Sequence, residues 1–186
     1  MPLTKNRTIK PLPFLIIFSF FLIACSSNSQ GDKNKKLVGM YKLYRIESPD
    51  STGSWIESEW GKGGESYILY DGLGHMAVNI TPKAYKEFNW PLSEEQTINE
   101  KILKEKTDSM SLTDLKAAVT QFASNYVYVA KYSFNDTLNI VTHNRITGTV
   151  PSIWGTEVKR KITFNGDTII LEPLKTKRRL IWIRQK

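Results

Sequence analysis

Cysteine and histidine are scarce in this chain, with one Cys and two His among 186 residues. A lone cysteine, Cys25, excludes an intramolecular disulfide, so the fold must hold without a covalent cross-link. The two histidines, His75 and His143, form no His-x-x-x-His pair. No Cys-x-x-Cys or Gly-x-Ser-x-Gly pattern occurs either, so the zinc and nucleophile signatures are missing. The apolar run at 14–24, broken only by Ser19, is too short to span a bilayer comfortably as a permanent helix. No internal repeat stands out.

What the first residues do contain is an export signal. Lys5, Arg7 and Lys10 form a positive start with no acidic residue, the apolar run follows, and small residues come at Ala24, Cys25, Ser26 and Ser27. The end of the run, Leu22-Ile23-Ala24-Cys25, resembles the lipobox of bacterial lipoproteins. That resemblance implies cleavage after Ala24, a diacylglyceryl group on the sulfur of Cys25, and acylation of the new amine by a palmitate-type chain. Each buried methylene contributes about 0.8 kcal/mol, so two or three chains make a stable membrane anchor. Residues 1–24 are therefore expected to be a signal peptide. Residues 25–36, with no apolar side chain after Cys25, are expected to be a flexible tether. Ser26 follows the cysteine in place of an inner-membrane-retaining Asp, which favours the outer membrane of the cell envelope.

Removing Lys5, Arg7 and Lys10 lowers the formal net charge from +8 to +5. Small basic clusters remain at Lys159-Arg160-Lys161 and between Lys175 and Arg179. They suit an anionic lipid surface, or a solvated sheet edge whose charges discourage aggregation. Nucleic acid is not an expected partner of an exported, lipidated chain. The sequence carries no sign of oligomeric state.

The remaining 37–186 is enough for one domain with one core. Strand patterns cover 37–47, 66–70, 75–80, 126–134, 137–143, 156–164, 168–172 and 179–184. Asp71-Gly72-Leu73-Gly74 and Asn165-Gly166 are hairpin turn signals. About eight strands is the number at which a sheet closes into a barrel holding side chains or one small ligand. Between them, Ser93-Glu94-Glu95-Gln96 has the form of a capping box and predicts a charged helix to about 106. Ser111 caps a second helix, in which Leu115, Val119 and Phe122 form a stripe placed to lie on the barrel as a lid or to plug one end. The helical insert is thus expected at about 93–123.

The ordered motifs resemble the bacterial lipocalin-like domain family. They are Leu37-Val38-Gly39-Met40-Tyr41-Lys42-Leu43; Ile68-Leu69-Tyr70-Asp71-Gly72 with Gly74-His75-Met76; Tyr128-Val129-Ala130-Lys131-Tyr132; the series His143, Pro151, Gly155, Arg160; Gly166-Asp167-Thr168-Ile169-Ile170-Leu171; and Leu180-Ile181-Trp182-Ile183-Arg184. Departures are Tyr41 where the family usually has Trp, and the long charged insert between Trp90 and Leu112. The resemblance implies a mainly β fold, a single antiparallel calycin-type β-barrel, and a presumed binding role with no settled activity. It also implies that Arg184 covers the ring of Tyr41 and seals the base, a structural role.

Four side chains are candidate ligand-binding residues: His143, Arg160, Tyr128 and Tyr132. By alternation, His143 shares a face with Asn139 and Val141 at its strand's end, and Arg160 shares one with Val158, Ile162 and Phe164. An Arg and two Tyr in an apolar cavity suit a carboxylate or other anionic head group. Met76, Val78, Ile80, Phe134 and Ile162 would cover an apolar tail. Equally open is the reading that His143 and Arg160 satisfy buried carbonyls or a carboxylate and only close the barrel. Trp55, Trp60, Trp90 and Trp154 lie in loop-like stretches, able to rim a cavity mouth or simply to pack on the barrel. An enzyme centred on His143, a cyclase or isomerase, has no positive support. No metal or cofactor is expected. The leading expectation is therefore a non-enzymatic, membrane-anchored binder of a small hydrophobic ligand.

Overall fold

Apolar and polar residues alternate along most strands of the computed structural model, which describes residues 35–186 apart from Pro91. The expected signal peptide, Cys25 and most of the tether lie outside the described residues. Nine strands form one antiparallel sheet: β1 (Gly39–Pro49), β2 (Trp55–Glu57), β3 (Tyr67–Tyr70), β4 (His75–Ile80), β5 (Tyr126–Asn135), β6 (Ile140–Gly148), β7 (Glu157–Asn165), β8 (Thr168–Pro173) and β9 (Arg179–Arg184). From β3 to β9 each strand pairs with the next, β1 pairs with β3, and β1 also pairs with β9. Eight strands thus close a barrel, and β2 is a short extra strand on the edge of β1.

Closure leaves no long unpaired edge in the barrel wall. The seam runs from Tyr41 opposite Arg184 to Glu47 opposite Arg179, with a bulge at Leu43/Arg45. At one end of this seam the buried carboxylate of Glu47 meets Arg45 at 2.8 Å and Arg179 at 2.6 Å. The Arg179 guanidinium also lies 4.0 Å from the ring centroid of Trp55, which ties β2 to the wall. At the other end the Arg184 guanidinium lies 4.6 Å from the Tyr41 ring and bonds the carbonyls of Lys36 and Val38. The Tyr41 hydroxyl donates to the Lys36 carbonyl at 2.8 Å, and burial pushes its pKa up to about 12. Leu37 is fully buried beneath. This is the base expected from the Tyr41 and Arg184 positions.

Gly39 is required at this base. Its φ is +136°, and a Cβ built there would come within 2.4 Å of the Arg184 guanidinium.

Two strand limits differ from expectation. The fifth predicted strand begins at Ile140, not at 137, because Thr137 to Asn139 turn the chain and Asn139 takes a φ of 52°. Asn139 therefore shares no strand face with His143. The same strand runs on to Gly148, which puts His143 in mid-strand and adds Arg145 to its face.

The insert has more pieces than predicted. The helix α1 (Lys83–Glu87) precedes α2 (Glu94–Thr97), α3 (Glu100–Ser109) and α4 (Leu112–Ser124). Ser93 and Gln96 do make the capping box, but the helix stops after one turn and restarts when the Asn99 side chain accepts from the Ile102 N–H. Ser111 caps α4 by accepting from the Asp114 N–H. The stripe on α4 neither covers nor plugs the barrel. Leu115, Val119 and Phe122 instead face a groove of about 540 Å³ shared with Trp90, Leu103 and Met110. Helical periodicity marks an apolar face but not its partner. Phe122 packs edge-on to Trp90 at 5.0 Å and to Tyr85 at 6.0 Å.

Candidate ligand site

Inward positions of neighbouring strands bring His143 together with three polar side chains. His143 is fully buried, and its Nε2 lies 3.0 Å from the Tyr70 hydroxyl. Its Nδ1 lies 2.9 Å from the Tyr128 hydroxyl and 2.9 Å from a guanidinium nitrogen of Arg160. Arginine only donates, so Nδ1 must carry a lone pair and the neutral ring holds its proton on Nε2. Nε2–H then donates to the Tyr70 oxygen, and both Arg160 and Tyr128 donate toward Nδ1. Burial, reinforced by the charges of Arg160 and Arg145, holds the His143 pKa well below its usual 6.5. Burial likewise raises both phenols, Tyr70 well above the usual 10, while Arg160 opposes the rise at each. The cluster is two neutral phenols and a neutral imidazole facing one cation.

That cation has no anion. Among the described residues no carboxylate lies within ion-pair distance of Arg160, which is 8% exposed. The partners foreseen for a merely structural role, backbone carbonyls or a carboxylate, are therefore not the ones found.

Arg160 and Tyr128 line a partly enclosed cavity of about 290 Å³ in the half of the barrel away from the base. Trp60, Tyr126 and Arg178 stand at its mouth, while Ile68, Val78, Ile80, Leu171 and Leu180 supply an apolar wall. No Asp or Glu lines it. Trp182 also lines the cavity, and its buried indole N–H has no hydrogen-bond partner.

Of the four predicted site residues, the structure brings His143, Arg160 and Tyr128 into one cluster. Only Arg160 and Tyr128 reach the cavity; His143 sits behind them. Tyr132 does not join. It faces the same interior, but its ring stacks edge-on against Tyr70 at 5.0 Å, and its buried hydroxyl has no hydrogen-bond partner among the described residues. The expected apolar lining divides in the same way. Val78 and Ile80 line the cavity, whereas Met76, Phe134 and Ile162 belong to the packed half.

Tyr70 was missed by the sequence reading as a polar member, although it alternates with Ile68 and so faces inward. Arg145 follows His143 by two positions, and its guanidinium donates to the Tyr126 hydroxyl at 3.3 Å. Among the loop tryptophans, Trp60 rims the mouth. Trp55 lies in β2, and Trp154 donates from its indole to the Gly148 carbonyl at 3.0 Å. Among the described residues no group of three or more His, Cys, Asp or Glu is placed to hold a metal ion, and no helix is long and apolar enough to cross a membrane.

The lipocalin-like domain model matches residues 38–184. The chain belongs to the lipocalin-like domain family. Among solved structures, it is similar to a lipocalin-like protein from Bacteroides uniformis, at 9% identity and a TM-score of 0.41, over 80% of this chain and 98% of that one. An uncharacterized protein from Bacteroides eggerthii gives 8% identity and a TM-score of 0.40, over 80% and 99%. No curated protein matches. The expected family and its closed eight-stranded barrel are borne out.

Proposed function

We propose that this lipocalin-like protein is a lipid-anchored lipoprotein of the cell envelope whose barrel reversibly binds a small hydrophobic molecule with an anionic head. One observation carries the ligand reading: Arg160 is a buried guanidinium with no carboxylate partner, set in the wall of a cavity that no acidic side chain lines. Burying an unpaired charge is costly, and a bound anion would remove that cost. A guanidinium with a phenol beside it suits an oxyanion, and the apolar wall suits the rest of the molecule. The volume lies near the lower end of the roughly 300–1,000 Å³ usual for small-molecule pockets, so the ligand is small. The anchor rests on the sequence alone, through Cys25 and the lipobox-like residues before it, and the preference for the outer membrane rests on Ser26.

The reading is of a binder and not a catalyst. His143 is walled off by Tyr70, Tyr128 and Arg160, is held neutral, and has no carboxylate beside it to act as an acid–base relay.

The test compares a carboxylate ligand with a neutral amide of the same shape. Both are titrated into the full-length protein in a non-ionic detergent and into its Arg160→Met variant. Expected is a ten-fold or greater loss for the carboxylate and a change under two-fold for the amide. An equal loss for both would mean that Arg160 shapes the wall without reading charge. Mass spectrometry of the anchored chain checks Cys25: the Cys25→Ser variant should keep its signal peptide and gain no acyl mass.

A further inference from the structure

The arginines of the described chain divide into two groups. Arg45 and Arg179 are spent on Glu47, and Arg184 on backbone carbonyls and the Tyr41 ring at the base. Arg145, Arg160 and Arg178 form no ion pair with any described residue, and all three gather around one cavity. Arg160 and Arg178 line it directly. Arg145 stands beside it, with its guanidinium 6.0 Å from the Tyr128 ring and bonded to the Tyr126 hydroxyl. Arg178 lies 5.3 Å from the ring of Trp60, across the mouth. The Nε atoms of both Arg145 and Arg178 are buried without a hydrogen-bond partner. The chain thus carries three guanidinium charges here and places no acid among them.

A single carboxylate offsets one of those charges. Three cations that repel one another around a small cavity, with unused N–H donors, are matched by a group bearing two negative charges and several acceptor oxygens. We propose that the cavity is selective for a dianionic head group, either a phosphate monoester or two carboxylates on one small apolar body, with Arg160 at its inner end and Arg145 and Arg178 at its mouth. Trp60 and Tyr126, whose rings meet edge-on at 6.0 Å, provide an aromatic rim against which a flat apolar body can rest. This rests on the reading of the barrel as a binder of anionic ligands and adds the charge class of the ligand.

Four naphthalene probes separate the possibilities: 1-naphthyl phosphate, 1-naphthoate, naphthalene-1,4-dicarboxylate and neutral 1-naphthamide. Each is titrated into the full-length protein in a non-ionic detergent at pH 7.5, followed by calorimetry and by the fluorescence of the cavity tryptophans. Expected is at least ten-fold tighter binding of one or both dianions than of the naphthoate. The phosphate alone would mark a compact dianion, the dicarboxylate alone a pair of separated acids. For the phosphate, whose second ionisation falls near pH 6, affinity should drop several-fold between pH 7.5 and 5.5. Arg178→Gln and Arg145→Gln, each confirmed folded by an unchanged thermal midpoint, should each cut the preference for the dianion at least five-fold. Each should weaken naphthoate by a smaller factor than it weakens the dianion. If naphthoate binds as tightly as both dianions and still depends on Arg160, the single-anion reading survives and this proposal falls. If naphthamide binds as well as all three acids, both fall together, as they do if none of the probes binds.

Discussion

The guanidinium of Arg160 reaches Nδ1 of His143 across a diagonal of the β6–β7 ladder. Arg160 pairs in register with Val141, and His143 with Val158, yet the two side chains meet at 2.9 Å. A cation bonded to a neutral imidazole fixes the ring's tautomer and sets the sign of its response to pH.

The His143 ring should be the Nε2–H tautomer at pH 7. Nitrogen-15 NMR of the imidazole should show a protonated Nε2 and an unprotonated Nδ1. A protonated Nδ1 would contradict the bond from Arg160, because arginine cannot accept.

Stability should decline as pH falls below about 6.5. The folded pKa of His143 is depressed, whereas the unfolded ring titrates near 6.5, so below that pH the unfolded state binds the extra proton. The loss should approach 1.4 kcal/mol per pH unit, at most about that, until the folded ring also titrates, with no contribution from this group above pH 7. Urea midpoints from pH 5 to 8 measure it, and His143→Gln should flatten the slope. Parallel curves for the two proteins would show that another group governs acid sensitivity.

Arg160→Met should leave stability unchanged or raise it by up to about 2 kcal/mol, because it replaces an unpaired buried charge with an apolar side chain. Tyr128 still donates to Nδ1 in that variant. Thermal unfolding of the ligand-free protein checks this. A loss above about 2 kcal/mol would mean that the guanidinium holds the barrel together, against its reading as a ligand anchor.

Glu47→Gln should cost about 1–3 kcal/mol. The carboxylate is buried, but its partners Arg45 and Arg179 are partly exposed, so the figure lies below the 3–5 kcal/mol of a fully buried broken pair. Hydrogen exchange should show the loss concentrated in β1, β2 and β9. A uniform change over all strands would place the effect outside the seam.

Gly39→Ala should destabilise by about 1–3 kcal/mol, since alanine at a φ of +136° is strained and its Cβ would displace Arg184 from Tyr41. Gly166→Ala serves as the comparison, with a positive φ but no atom within 4 Å of the added carbon. Chemical denaturation should find the first substitution costlier than the second, and equal costs would remove the steric part of the argument.

Much of this molecule was legible because a barrel wall obeys a period of two. Alternation alone put Tyr128, His143 and Arg160 on defined strand faces, which the fold turns inward, and the Tyr41–Arg184 base followed from the family resemblance. Tyr70 carried the same signal through Ile68, yet its hydroxyl attracted no notice within a hairpin motif. Arg145 was lost when the strand was ended at His143, short of its true end at Gly148. Nothing in the sequence places Arg178 at the mouth, since a loop residue has no period to follow. The α4 stripe shows the opposite limit: the pattern of Leu115, Val119 and Phe122 is helical, but only the fold reveals that it meets Trp90 and α3 and not the barrel.

The chain enters the barrel through its floor, where Leu37 is buried and Arg184 grips the carbonyls of Lys36 and Val38, and the cavity opens at the far end. The segment leading into β1 and the mouth of the cavity therefore lie at opposite ends of the barrel, and a molecule entering the cavity need not pass that segment.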